Sequence, residues 1–197
     1  MIVVEPVPVH RTAVLTRGNF LHSSDAVIPG FRAITDACHA EGAVMIQQLY
    51  HVGQHADFDN SYQPAWSPSG LPSYHDNDGS HAMTDAEIVE IVDAFVAAAV
   101  RAQRCGFDGV EIFAAYHSLV DQFWLPWSNR RTDRWGGSFE NRMRFPLEVV
   151  QAMLPYYQEK WGNPSSLHAS GREALAGMEA AREQVAALLG ALAAAAF

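Results

Sequence analysis

The sequence predicts an α/β fold made of three consecutive β/α units, and three observations carry that expectation. Short apolar runs rich in β-branched residues recur at Ile2–Val9, at 43–49 (AVMIQQL) and at 109–113. Between and after them lie segments in which apolar residues repeat at helical spacing. The runs carry almost no charge (Glu111 is alone in the third), as suits strands of a parallel sheet buried on both faces.

Each element has a local reason. In the first run Pro6 and Pro8 lack a backbone donor, so the strand is expected to end near Glu5. A loop runs through Asp25. Pro29 suits a first helical turn, Phe31, Ile34 and Cys38 follow at helical spacing, and Gly42 ends the helix. After the second strand comes a long polar segment, His51 to Met83, the kind of loop that in compact domains is functional or disordered. Thr84 and Glu87 form a capping box. The helix behind it buries Ile88, Ile91 or Val92, Phe95 and Ala99 and stops before Gly106. The third strand leads into an aromatic stretch with Phe123, Trp124 and Trp127, then an arginine-dense loop around Gly136 and Gly137. Phe139 to Met153 reads as a helix with Phe145 and Val149 inward. A last helix is expected over Gly171 to Leu189, with Leu175, Met178, Val185 and Leu188 on one face.

Composition narrows the function classes. With 197 residues and 49% hydrophobic content the chain can build one ordinary core. The net charge is −9, and twelve arginines with a single lysine, Lys160, form no basic stripe, which argues against a nucleic-acid partner. No apolar run reaches membrane-spanning length, and the N-terminus lacks the layout of a signal peptide. Cys38 and Cys105 have no metal spacing and read as free thiols of a reducing compartment, hence a cytoplasmic location. His51 and His55 lie four apart, but HVGQH lacks the glutamate of a zinc-protease helix; no metal site is expected. Asp76-Asn77-Asp78-Gly79 lacks the later ligands of a calcium loop and reads as solvated.

The third strand and its sequel, GFDGVEIFAAYHSLVDQFWLPWSNRRTDRWGGSFENR, resemble the Old Yellow Enzyme family of NADH:flavin oxidoreductases. The match is dense from Phe123 to Arg142, and QLYHVG at 48–53 is similar to the family's Q-L-x-H-x-G. The resemblance covers residues 1–150 and implies part of a TIM barrel that binds FMN, uses NAD(P)H and transfers hydride through flavin N5 to or from a small substrate. It implies that Gln48 holds the flavin pyrimidine ring, an amide being able to donate and accept at once; read alone, a glutamine at a strand end is a loop anchor. Pro6 stands where the family packs a small residue against the flavin, and is equally a strand terminator. Phe113 and Tyr116 occupy the two positions of the family's His-x-x-His or His-x-x-Asn pair, with His117 one step later. Phenylalanine cannot hydrogen-bond a substrate carbonyl, whereas Tyr116 can donate a bond or a proton, so Tyr116 and His117 are the candidate catalytic groups. Phe113 and Tyr116 are candidate substrate contacts or, alternatively, filling for the barrel interior. Relatives that oxidise amines also carry an aromatic at the first position but keep a histidine at the second, where this chain has Tyr116. Asn129, Arg130, Arg131, Asp133 and Arg134 read as a structural clamp.

From Val149 the resemblance changes. AMLPY, GNPSSLH with Asn163, Ser165, Ser166 and His168, and AREQVAALLGA are similar to the N-terminal part of PLP-dependent cysteine desulfurases. That chemistry needs a Schiff-base lysine far downstream of this motif, and Lys160 precedes it. Two resemblances to unrelated folds meet in RFPLEVVQAM. They imply domains at 1–150 and 151–197, the second a helical segment. The function expected is therefore an FMN-dependent oxidoreductase by descent; the alternatives are a non-catalytic chimeric fragment or a piece of a desulfurase. A sheet of three strands has open edges through which copies could associate.

Overall fold

In a computed structural model the chain is described over residues 1–15, 20–21, 23–74 and 79–159. The expectations for Asp76 to Asp78, for Lys160, for the desulfurase-like residues and for the helix at 171–189 lie outside these residues.

Three parallel strands form the sheet: β1 (Ile2–Pro8), β2 (Met45–Tyr50) and β5 (Gly109–Ile112), in the order β1-β2-β5. Between them the chain builds α1 (Ile28–Ala40), the short α2 (Phe58–Ser61), two two-residue strands β3 (Trp66–Ser67) and β4 (His81–Ala82) that pair with each other, and α3 (Asp85–Arg104). After β5 come α4 (Leu119–Trp124) and α5 (Phe139–Glu159). Each strand is therefore followed by a helix, as the periodicity requires. The capping box on α3 is present, with Thr84 accepting from Glu87 N–H and the Glu87 carboxylate accepting from Thr84 N–H at 2.7 Å.

Alternation along the strands splits the sheet into two faces. Met45 and Leu49 point into the helix layer, where they pack with Ala102, Phe31 and Phe107 and with Ile88, Phe95, Leu119 and Phe123 respectively. Phe145 and Val149 of α5 complete this core as expected. Cys105 is buried among the same side chains, and burial pushes its thiol up to about 11, so it remains protonated and unreactive. The intervening residues, Ile46, Gln48 and Tyr50 on β2 and Glu111 on β5, face the other way.

Two expectations need correction. Ile34 is 47% exposed; the inward position on α1 belongs to Thr35, whose hydroxyl donates to Cys105 O at 2.6 Å. A satisfied hydroxyl is tolerated in a core, and no apolar pattern reveals it. Nor does β1 end at Glu5; it continues to Pro8. The register jumps from Val4↔Gln47 to Val7↔Leu49, so Glu5 and Pro6 together oppose Gln48 in a bulge. Buried Gln47 clamps that bulge, its amide nitrogen donating to Glu5 O at 3.1 Å and Gln48 O at 2.9 Å. Proline is admitted because β1 is an outer strand of the sheet and the bulge has already interrupted the ladder.

Candidate active site

A cavity of about 310 Å³ opens where the carboxyl ends of the strands meet the following loops. In β/α proteins this is where ligands bind, since the loops there converge on one opening. Its walls are Glu5 and Pro6 from the bulge, Leu15 from the loop after β1, Tyr50 at the end of β2, Val52, His55 and Tyr74 beyond it, and Phe113, Tyr116 and Ser118 after β5. No arginine or lysine lines it among the described residues.

Of the residues chosen from sequence, the structure brings Pro6, Phe113 and Tyr116 to this cavity. Gln48 stands one register step deeper on the same face, opposite Glu111 and beside the bulge, and is not part of the cavity wall. Its amide is half-buried and makes no side-chain hydrogen bond with a described residue. His117 lies at the rim, its ring 5.9 Å from that of His55 and 5.7 Å from that of Tyr74.

The rim has an unusual backbone. Tyr116 (φ 51°) and His117 (φ 58°) are consecutive non-glycine residues in the left-handed region, each strained relative to an ordinary conformation. The start of α4 holds them there. Ser118 is its N-cap, Asp121 accepts from His117 N–H at 3.0 Å, and buried Gln122 donates to His117 O. The turn leaves Tyr116 87% exposed, with its ring parallel to Phe113, the centroids 6.3 Å apart.

Sequence reasoning missed three supports of this site. Tyr50 forms its inner wall, 6% exposed and edge-on to Phe113. A backbone hydrogen bond from Leu15 reaches its phenol, yet burial prevails and pushes the group up to about 12. Gln122 is the second: its Nε2 donates to Val52 O at 2.9 Å and its Oε1 accepts from Gln54 N–H at 3.0 Å, tying the loop after β2 to α4. The third is a chain of side chains behind the cavity. Gly53 N–H donates to His51 Nδ1 at 3.0 Å, so the His51 proton sits on Nε2 and donates to Thr12 Oγ1 at 3.1 Å. The Thr12 hydroxyl in turn donates to His10 Nδ1 at 2.8 Å, and His10 Nε2–H donates to Glu90 at 3.1 Å. Burial lowers both histidines, His51 to about 3, and both are neutral in the fold. In the sequence His51 is marked only by its place in QLYHVG.

The arginine-dense loop is a clamp. Arg131 donates to Pro68 O at 2.8 Å and Met83 O at 2.6 Å and pairs with Asp133; Arg134 pairs with Asp85 at 2.8 Å. Among the described residues no helix is long and apolar enough to cross a membrane, and no group of three potential ligands could hold a metal ion.

Comparison with known proteins bears on this arrangement. The model of the NADH:flavin oxidoreductase / NADH oxidase family matches residues 1–156, and that of the class-V aminotransferases matches 144–196. A metal reductase of Desulforamulus reducens is 46% identical over 129 residues, 66% of this chain and 19% of the relative. N,N-dimethylglycine/sarcosine dehydrogenase of Chromohalobacter salexigens is 40% identical over 132 residues, again 66% and 19%. The structure of morphinone reductase superposes with a TM-score of 0.75 at 34% identity, over 79% of this chain and 46% of that one. The chain thus spans less than half the length of each. Its three parallel β/α units are part of the TIM barrel of these enzymes, and the chain belongs to the flavin-dependent NADH:flavin oxidoreductase / NADH oxidase family.

Proposed function

We propose that this chain forms part of an FMN-dependent oxidoreductase site at which hydride passes between the flavin and a small substrate, with NAD(P)H as the nucleotide partner. The observation that carries the reading is the shared position of Pro6, Gln48, Phe113 and Tyr116 on one face, at the carboxyl ends of parallel strands. The residues present fit the flavin ring. The free Gln48 amide offers the donor and acceptor that a pyrimidine edge requires, and Pro6 offers a flat apolar surface without a competing N–H. When bound, the flavin supplies a hydride donor or acceptor at N5. The chain's own residues would do the rest: Gln48 orients the ring, Phe113 and Tyr50 exclude water from one wall, and Tyr116 and His117 stand at the rim as groups able to deliver or remove a proton.

Of the two hydride directions, oxidation of a small amine has the better support. Phe113 removes a hydrogen-bond donor that a carbonyl substrate would use. The cavity instead presents Glu5 and the rings of Tyr50, Tyr74, Phe113 and Tyr116, with no arginine or lysine among its described walls. Such a lining attracts an alkylammonium group through charge and cation–π contact. The dimethylglycine/sarcosine dehydrogenase relative is named for amine substrates of this kind.

A second feature concerns organisation. The two family matches overlap at 144–156, inside α5, which runs unbroken across residue 150. This supports a chain that joins two family segments within one helix.

Flavin fluorescence tests the cofactor reading. Titrating the full chain into riboflavin and into FMN should quench both with similar affinity, since no arginine or lysine lines the described cavity to hold a phosphate. Gln48→Leu should weaken both about fivefold, the loss of roughly one net hydrogen bond. Fluorescence unchanged at saturating chain concentration refutes the flavin reading.

A further inference from the structure

We propose that Asp121 is a positioning residue for His117. Its carboxylate accepts the Nδ1 proton of the imidazole and so leaves Nε2 as the atom that takes up or gives up a proton at the rim of the cavity. The inference rests on the functional reading above, in which His117 is one of the groups able to move a proton, and it names the residue that orients it.

Asp121 lies in the first turn of α4, four residues after His117. Both of its oxygens are held. Oδ1 accepts from Trp124 Nε1–H at 2.6 Å, and Oδ2 accepts from His117 N–H at 3.0 Å. A carboxylate gripped at both oxygens cannot turn away, and this side chain is only 15% exposed. Oδ2 keeps a further lone pair, and His117 Nδ1 stands 3.7 Å from it. Among the described residues Asp121 is the one carboxylate within ion-pair distance of this ring. The separation exceeds a hydrogen bond by about half an ångström, and a small rotation of the 54% exposed imidazole closes it.

The backbone takes no part in that rotation. Asp121 and Gln122 hold the N–H and the carbonyl of His117, whose φ is 58°. The rings of His55 and Tyr74, which line the cavity, stand 5.9 and 5.7 Å from the imidazole. A ring whose Nδ1 faces Asp121 turns Nε2 away from the carboxylate. An amide or hydroxyl would serve the backbone N–H as well. What a carboxylate adds is a full negative charge beside Nδ1, which fixes the nitrogen that carries the proton in the neutral ring. In the amine direction favoured above, one proton passes from the ammonium nitrogen of the substrate to Nε2. The Nδ1–H bond to Asp121 is kept, no other bond changes in that step, and the exposed ring returns the proton to water.

The experiment uses the full chain labelled with ¹⁵N-histidine. Long-range ¹H–¹⁵N spectra at about two pH units above the ordinary histidine value show which ring nitrogen is protonated. The His117 signals are identified by their loss in His117→Asn, a residue suited to the left-handed backbone, or by nuclear Overhauser contacts to Tyr74 should that variant fold poorly. Neutral histidine in water favours the proton on Nε2, so a proton on Nδ1 reports a partner at that nitrogen. His117 is expected to carry its proton on Nδ1. Asp121→Asn is expected to move the ratio of the two forms about tenfold towards Nε2, the loss of one hydrogen bond to a charged acceptor. Asparagine still offers an oxygen to His117 N–H, so a carboxylate with a merely structural role leaves the ratio the same in both chains. The proposal falls if His117 of the unaltered chain is protonated on Nε2, which needs no variant, or if Asp121→Asn leaves the ratio unchanged. Riboflavin titrated into the same samples separates the two readings. A proton on Nδ1 without flavin binding removes the flavin assignment and leaves the pair, whereas flavin binding with the proton on Nε2 does the reverse.

Discussion

Lowering the pH from 7 to 5 should destabilise the fold by about 2 kcal/mol through His51 alone. The imidazole is 1% exposed, and its two nitrogens are committed, Nδ1 as acceptor from Gly53 and Nε2 as donor to Thr12. A second proton would have to displace the Gly53 N–H and bring a charge into the core. Burial accordingly depresses the group from 6.5 to about 3, with the neighbouring His10 adding a little. The unfolded chain therefore binds this proton more readily than the folded one. The stabilisation is fully present above about pH 6.5 and is lost progressively as the pH falls towards 3. His10, lowered mainly by burial against the opposing pull of Glu90, acts in the same direction. The carboxylates that the fold holds low, Asp25, Asp85, Glu87, Asp133 and Glu140, act in the same direction at more acid pH. Urea unfolding at pH 7 and pH 5 reads the difference. With a denaturant dependence of about 2 kcal/mol per molar, the midpoint should fall by about 1 M. His51→Gln, which can still accept from Gly53, should be less stable at pH 7 and lose most of that shift. Equal midpoints at the two pH values, or an undiminished shift in His51→Gln, would refute the reasoning.

Two further perturbations test the scaffold. Asn129→Ala removes the buried amide that donates to Phe123 O at 2.7 Å and Trp135 O at 2.8 Å; leaving both carbonyls unpaired should cost about 2–4 kcal/mol in urea unfolding. Gly53→Ala places a Cβ 2.1 Å from Gln122 Oε1 at a residue with φ of 62°, so it should cost about 2–3 kcal/mol and loosen the cavity, seen as faster amide exchange at Gln54.

How much of this was legible in the sequence depended on whether the signal was local. The α3 helix was readable to its cap because Thr84, Glu87 and the spacing of Ile88, Ile91, Phe95 and Ala99 all lie within one segment. The strands were readable as apolar runs, and Gly42 as a helix stop, since its φ of 75° is what a glycine there provides. Pairing was not readable. The bulge at Glu5 and Pro6 exists only relative to β2, so nothing in the first ten residues could reveal that Gln47 holds it or that the strand survives two prolines. Thr35 was hidden because its partner, Cys105 O, is seventy residues away. The same limit governed the site. Pro6, Phe113 and Tyr116 were found through motifs that name positions, whereas Tyr50 was passed over beside Gln48 because its importance comes from Leu15, Glu5 and Phe113 converging on it.

The left-handed turn at Tyr116 and His117 has a consequence for how such a site can change. Its backbone is fixed from behind, by Asp121 and Gln122 of α4, which hold the N–H and the carbonyl of His117. Shape and chemistry at the rim are thereby largely uncoupled: among residues that tolerate the left-handed region, a different side chain at Tyr116 alters what the mouth meets first without removing the anchors of the turn. The conformation already disfavours β-branched residues and favours asparagine or glycine. The rim can thus be rewritten one residue at a time while the inner wall, locked ring against ring, stays as it is.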